Sequence, residues 1–301
     1  MMTRKFVAFA CLAASTIIVP ISQADTLTNR LKDLLPKQKP APQAAAGSNQ
    51  DAQEKEFKIP PVGNVPLEDE VRLGRQIAGN LLGAAPLVKD DKLQQYVNRV
   101  GRWVALQSER PDLKWTFGVI QTNDINAFAA PGGYVFITRG LYAKLKDESE
   151  LAGVLGHEIA HVQEKHHLKV VQKSQLLQIG TSILQKKAAR GQSAVQHLIG
   201  SGGEILARGL DKDAEFEADR MGVVLAARAG YDVWGLPSVL QEISAVSSSD
   251  SAVGMLFKTH PPPDERLARL SDSMGDRLDS LKETGNTKGR FYKLPAGGKH
   301  E

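Results

Sequence analysis

Apolar positions along this chain recur with two periods, and the change from one to the other marks out its parts. Residues 67–82 and 91–107 carry helical spacing; in the second stretch Leu93, Val97, Val100 and Val104 form one stripe. "KWTFGVIQ" at 114–121 alternates as a strand does, and "INAFAAPGGYVFITRG" at 125–140 reads as extended segment, Pro-Gly-Gly turn and strand. Helical spacing returns over 148–164, most of 166–208, about 212–229, 236–246 and 262–279. A few early strands followed by helices predict an α+β domain, mostly helical, with one small β-sheet.

The stretch 148–164 breaks its own pattern. At about 100° per residue, Leu151, Leu155, Ile159 and Val162 fall on one face. His157 and His161, four apart, lie side by side roughly opposite, and Glu158 projects between them and the apolar stripe. Gly153, Val154, Gly156 and Ala160 fill the rest with small side chains that let other elements approach closely. Burying two imidazoles and a carboxylate without partners would cost several kcal/mol, roughly 2–7 for each polar group. A metal ion would satisfy them. The pentad HEIAH fits HExxH, in which two histidines hold zinc and the glutamate serves as base.

The ends of the chain lack such periods. Arg4 and Lys5 precede an apolar run from Phe6 to Ile21, broken by Ser15, Thr16 and Pro20, and "SQA" at 22–24 offers small residues for processing. This predicts a signal peptide, residues 1–24, cleaved after Ala24, with a membrane anchor facing the periplasm as the alternative. Cys11 is the sole cysteine, so the processed chain would hold neither a disulfide nor a cysteine-ligated metal. The net charge of +4 loses Arg4 and Lys5 with the leader, which leaves a near-neutral chain and no sign of a nucleic-acid surface. Residues 25–62, rich in Pro, Ala and Gln, are expected to form a flexible linker, residues 63–280 the folded domain and residues 281–301 a tail.

A catalytic zinc needs a third protein ligand and an open position for water. His167 occupies the last position of the metzincin pattern HExxHxxGxxH, but Glu164 stands where that pattern has glycine. The helical pattern from Leu168 to Leu184 also shows no sharp reversal, so His166 and His167 read as a polar helix end. Glu215, in "DKDAEFEADRMG", is the better candidate. Asp219 lies on the same helical face, placed to hold a ligand histidine or nearby backbone, and Gly222 one turn on admits a close neighbour. Glu217 is the rival, on the opposite face without a companion. A solvated acidic helix start is the plain alternative for the whole segment. His260, in "THPPPDER", is held by three prolines and is a candidate site-facing group.

"NAFAAPGGYVFITRGL", "LAGVLGHEIAHV", "EFEAD", "GYD" and "THPPPDER" together make residues 65–275 resemble peptidase family M48, which includes HtpX, the CAAX prenyl proteases and periplasmic quality-control proteases. The resemblance implies a zincin-like gluzincin fold whose sheet edge lines the cleft. It implies one Zn2+ per chain on His157, His161 and Glu215, with Glu158 as base, Asp219 behind the ligands and His260 close to the metal. It further implies that the "GGYVFITRG" strand is the platform for an extended peptide. The function expected is a zinc endopeptidase that cleaves unfolded or misassembled proteins in the periplasm, associated at its periphery with the envelope membrane or the outer-membrane assembly machinery. A chaperone-like binder of outer-membrane proteins is the rival from another class, and a metalloenzyme acting on small molecules is a third.

Overall fold

The computed structural model describes residue 59 and residues 63–184, 210–247, 250–254, 256–278 and 287–294. The expected leader, nearly all of the linker, residues 185–209 of the long helical stretch and residues 295–301 of the tail lie outside them. In chain order the elements are α1 (Leu67–Ala84), α2 (Asp91–Ala105), β1 (Thr116–Ile120), β2 (Ala127–Ala130), β3 (Tyr134–Thr138), α3 (Arg139–Tyr142), α4 (Glu148–Gln163) and α5 (His166–Leu184). They continue with α6 (Lys212–Arg228), α7 (Gly235–Ser244), α8 (Leu256–Thr259), α9 (Pro263–Met274) and α10 (Thr287–Arg290). The result is mostly helical with one small mixed sheet, as the periodicity predicts.

The strands lie in the order β1-β3-β2. β3 runs parallel to β1, with Gly118 opposite Phe136, and antiparallel to β2, with Phe128 opposite Phe136. The "GGYVFITRG" strand is therefore central and paired on both sides, which corrects its expected role as platform. β1 and β2 are the edges, and they differ. Side-chain amides of α2 cover the edge of β1. Gln94 donates to Val119 O at 2.9 Å and accepts from Val119 N at 2.9 Å. Asn98, one turn on, accepts from Phe117 N at 3.1 Å and donates to Phe117 O. Val88 N adds a bond to Val119 O. Among the described residues, β2 pairs only with β3 and keeps a free outer edge.

The turn between β2 and β3 needs both its glycines, because Gly132 and Gly133 sit at φ +79° and +97°. Glu70, buried in α1, ties this turn down. It accepts from Gly132 N at 3.1 Å and takes both arms of Arg110 at 2.7 and 3.0 Å. Arg110 also donates to Val162 O at 3.0 Å, satisfying a carbonyl in the last turn of α4.

α4 starts cleanly, with Asp147 accepting from Ser149 N and Glu150 N. Every residue from Glu148 to Val162 is buried, so the stripe of Leu151, Leu155 and Ile159 is one side of a helix enclosed all round. α6 lies against it in backbone contact. A Cβ added to Gly222 would stand 2.7 Å from His157 N, and one added to Gly156 would stand 2.7 Å from Gly222 O. That approach brings the first two turns of α6 over the histidines. Residues 287–294, expected in the tail, return to the core. Phe291 is buried and stacks on Tyr142 with ring centroids 5.2 Å apart, and Tyr292 donates to Asp90, the N-cap of α2, at 2.9 Å.

Candidate metal centre

His157, His161, Glu215 and His260 converge, each offering one donor atom, with all four atoms within 4.8 Å of one another. The Nε2 atoms of His157 and His161 are 3.0 Å apart and face the Glu215 carboxylate at 3.7 and 3.5 Å. Ligands about 2.1 Å from a tetrahedral cation are separated by roughly 3.4 Å, so these spacings suit a single ion. Glu215 Oε1 makes the case from within the chain. Its residue is 0% exposed, and among the described residues the atom has no hydrogen-bond donor. An unsatisfied buried carboxylate oxygen 3.5 Å from the His161 ring nitrogen, with His157 Nε2 beside the same carboxylate, fits a cation.

α4 and α6 supply this group in i, i+4 pairs, His157 with His161 and Glu215 with Asp219, which places each pair on one helical face. Asp211 caps α6 by accepting from Ala214 N at 2.9 Å. Asp219 Oδ1 lies 2.9 Å from His157 Nδ1, as a partner behind a ligand should. Arg266 of α9, fully enclosed, grips the same carboxylate through Nε at 2.9 Å and Nη2 at 2.6 Å. The sequence reading gave Arg266 no role. Only the approach of α9 to α6 reveals one, because a lone arginine after a proline run carries no spacing signal.

His260 sits against Glu215, its Nδ1 2.5 Å from Oε2. Burial opposes the His260 imidazolium, but the Glu215 carboxylate outweighs it and raises the pKa. Burial also tends to raise Glu215, yet the charge of His260 and then that of His161 hold it well below the carboxylate range. Asp219 is held low against its own burial by Arg266. Burial, helped by the neighbouring imidazoles, drives His161 well down, into the neutral form that ligates metals, and burial with the Glu215 charge raises Glu158.

Glu158 shares a cavity of about 10 Å³, the space of a single water, with Ala127, Phe128 and Ala129 of β2 and with His161, Glu215 and His260. The free edge of the sheet therefore borders the histidines. A second cavity, about 30 Å³, opens from His157, Glu158 and His260 into an apolar end made by Leu141, Val154, Val239, Leu240, Ile243 and Leu256.

His167 also borders the small cavity but stands outside the four-residue group, its ring centroid 5.8 Å from that of His161. Glu164 keeps right-handed helical geometry, and the chain turns instead at Lys165, at φ +56°. This reversal was not expected, and it corrects the reading of His166 as part of a polar helix end. His166 is 4% exposed, with Nδ1 2.9 Å from His161 Nδ1 and Nε2 3.2 Å from Glu217. Glu217 is thus no ligand rival, and it does have a companion on its face. Two consecutive histidines five residues past a ligand were the available signal.

The profile of Peptidase family M48 matches residues 91–274. The beta-barrel assembly-enhancing protease of Escherichia coli strain K12 is 31% identical over 207 residues, 66% of this chain and 42% of that protein. The protein of the same name from Yersinia pestis is 30% identical over 211 residues, 67% of this chain and 43% of the relative. The mitochondrial metalloendopeptidase OMA1 of Schizosaccharomyces pombe is 28% identical over 178 residues, 59% of this chain and 52% of that protein. The chain thus spans less than half the length of the two bacterial relatives.

Proposed function

This chain belongs to peptidase family M48 and is by that membership a metallopeptidase; from that premise we propose a zinc endopeptidase of the cell envelope that cleaves unfolded or misassembled proteins. The observation that carries the reading is the buried Glu215 carboxylate, one oxygen unsatisfied among the described residues, set against both HExxH ring nitrogens, with Glu158 beside a water-sized cavity. His157, His161 and Glu215 would hold the ion, and their nitrogen and oxygen donors suit zinc. Zinc bound there would supply Lewis acidity and ease the deprotonation of water.

The chain's own residues do the rest. Glu158 takes the proton of a water in the small cavity and passes it to the leaving amine. Burial keeps its carboxyl closer in proton affinity to that water than an exposed glutamate would be. Asp219, held by Arg266, fixes His157 in the tautomer whose Nε2 is free to ligate. The free edge of β2 accepts an extended peptide by backbone hydrogen bonds, and the apolar cavity takes an aliphatic side chain next to the scissile bond. Only chain that is already unfolded can add to an edge in this way, which supports quality control over processing of folded surfaces.

His260 rests on Glu215 and offers a fourth donor beside the three ligands, and in this reading it competes with water for the ion and holds the enzyme latent. The basic-then-apolar stretch of residues 4–21 supports export to the periplasm, and the relatives named for beta-barrel assembly support a peripheral link to outer-membrane assembly. No helix among the described residues is long and apolar enough to cross a membrane.

The test is hydrolysis of a reduced, unfolded protein and of an apolar peptide, with and without a chelator. Cleavage that chelation abolishes and zinc restores is expected. Binding without cleavage at any zinc level would favour the chaperone-like reading.

A further inference from the structure

The two histidines of HEIAH are supported differently from behind. A neutral imidazole that ligates through Nε2 carries its hydrogen on Nδ1, and that hydrogen needs an acceptor. For His157 the acceptor is a carboxylate, Asp219 Oδ1 at 2.9 Å. For His161, among the described residues, the partner of Nδ1 is another ring nitrogen, His166 Nδ1 at 2.9 Å. His166 in turn places Nε2 3.2 Å from Glu217 Oε2.

We propose that His166 is the positioning residue for the ligand His161, and that Glu217 anchors it in a histidine–histidine–carboxylate relay. The proposal rests on the reading of this site as a metal centre. Only one placement of hydrogens serves both contacts and leaves His161 free to ligate. His161 Nδ1 donates to His166 Nδ1, and His166 Nε2 donates to Glu217. The opposite placement would put a hydrogen on His161 Nε2, where the ion must bind, and would leave His166 Nε2 as a lone pair facing a carboxylate.

The backbone is built for the contact. On an unbroken helix a residue five positions after His161 would lie about 140° round from it, out of reach. Lys165 in the left-handed region, at φ +56°, ends α4 and swings the first residue of α5 back across the His161 ring. Such a conformation costs a non-glycine residue about 1–2 kcal/mol. The chain adopts it where the return of His166, with its ring centroid 5.1 Å from that of His161, is the consequence.

Zinc affinity of the full chain, measured by competition with a chromophoric chelator, tests the relay without recourse to catalysis. His166→Phe keeps the ring and removes the acceptor, and should weaken zinc binding about 10–100-fold. The melting temperature of its zinc-free form should stay near that of the native chain. His166→Gln, which restores an acceptor oxygen, should recover most of the affinity at the same melting temperature; a role in packing alone would not distinguish the two. Glu217→Gln should change affinity little, and Glu217→Leu should lower it several-fold. Native affinity in His166→Phe overturns the proposal. If that variant does not fold, native affinity in Glu217→Leu, a change at a half-exposed position, overturns it. If zinc binding by the native chain is unaffected by His157→Ala and His161→Ala, the metal-centre reading itself fails.

Discussion

Glu158 and Glu215 are both buried carboxylates that line one small cavity with His161, and in the function proposed their surroundings give them opposite tasks. Glu215 is held ionised by the imidazoles it faces, whereas burial keeps Glu158 ready to take a proton. Glu158→Gln should therefore leave zinc content and melting temperature nearly unchanged and abolish peptide hydrolysis; turnover above a few per cent of native would rule out the general-base role. His260→Ala removes the side chain that rests on Glu215. It should raise cleavage of unfolded protein, self-cleavage included, with zinc still bound. A fall in turnover would instead make His260 a stabiliser of the transition state. Arg266→Leu strands the Asp219 charge in the interior and should cost about 3–5 kcal/mol in urea unfolding. Replacing both residues by apolar ones should return much of that loss.

Among the elements, the close crossing of α4 and α6 governs the site. Gly222→Ala drives a methyl against the His157 backbone and should cost about 1–3 kcal/mol while also loosening zinc, since Glu215 and Asp219 move with α6. Equal zinc affinity in that variant would mean the ligands do not depend on the crossing. The i, i+4 pairing of His157 with His161 and of Glu215 with Asp219 was legible in the sequence, because helical spacing alone fixes which side chains share a face. Gly222 was legible for the same reason. Strand order was not. Nothing in "YVFIT" tells whether its partners lie on one side or both, so β3 passed for an edge until the sheet placed it in the centre. The turn at Lys165 was hidden as well, because a lysine in a left-handed conformation leaves no mark in composition, and the contact of His166 with His161 and Glu217 was hidden with it.

At the scale of the whole molecule, residues 287–294 are drawn back onto the start of the HExxH helix. Arg290 pairs with Glu148, the first residue of α4, at 3.1 Å, and Tyr142 donates to Tyr292 O at 2.6 Å beside buried Phe291. Phe291→Ala should cost about 3–5 kcal/mol by denaturant unfolding, and a loss below about 1 kcal/mol would mark the segment as incidental. The sheet has a consequence of another kind. With Gln94 and Asn98 sealing β1, β2 is the one edge left unpaired among the described residues, and the sheet is monovalent. If a guest strand docks on β2 as proposed, no further strand can be added beyond β1 to carry a ribbon of strands onward. In the function proposed, such a sheet offers half-folded chains a terminus rather than a seed, and a guest strand on β2 lies beside the histidines.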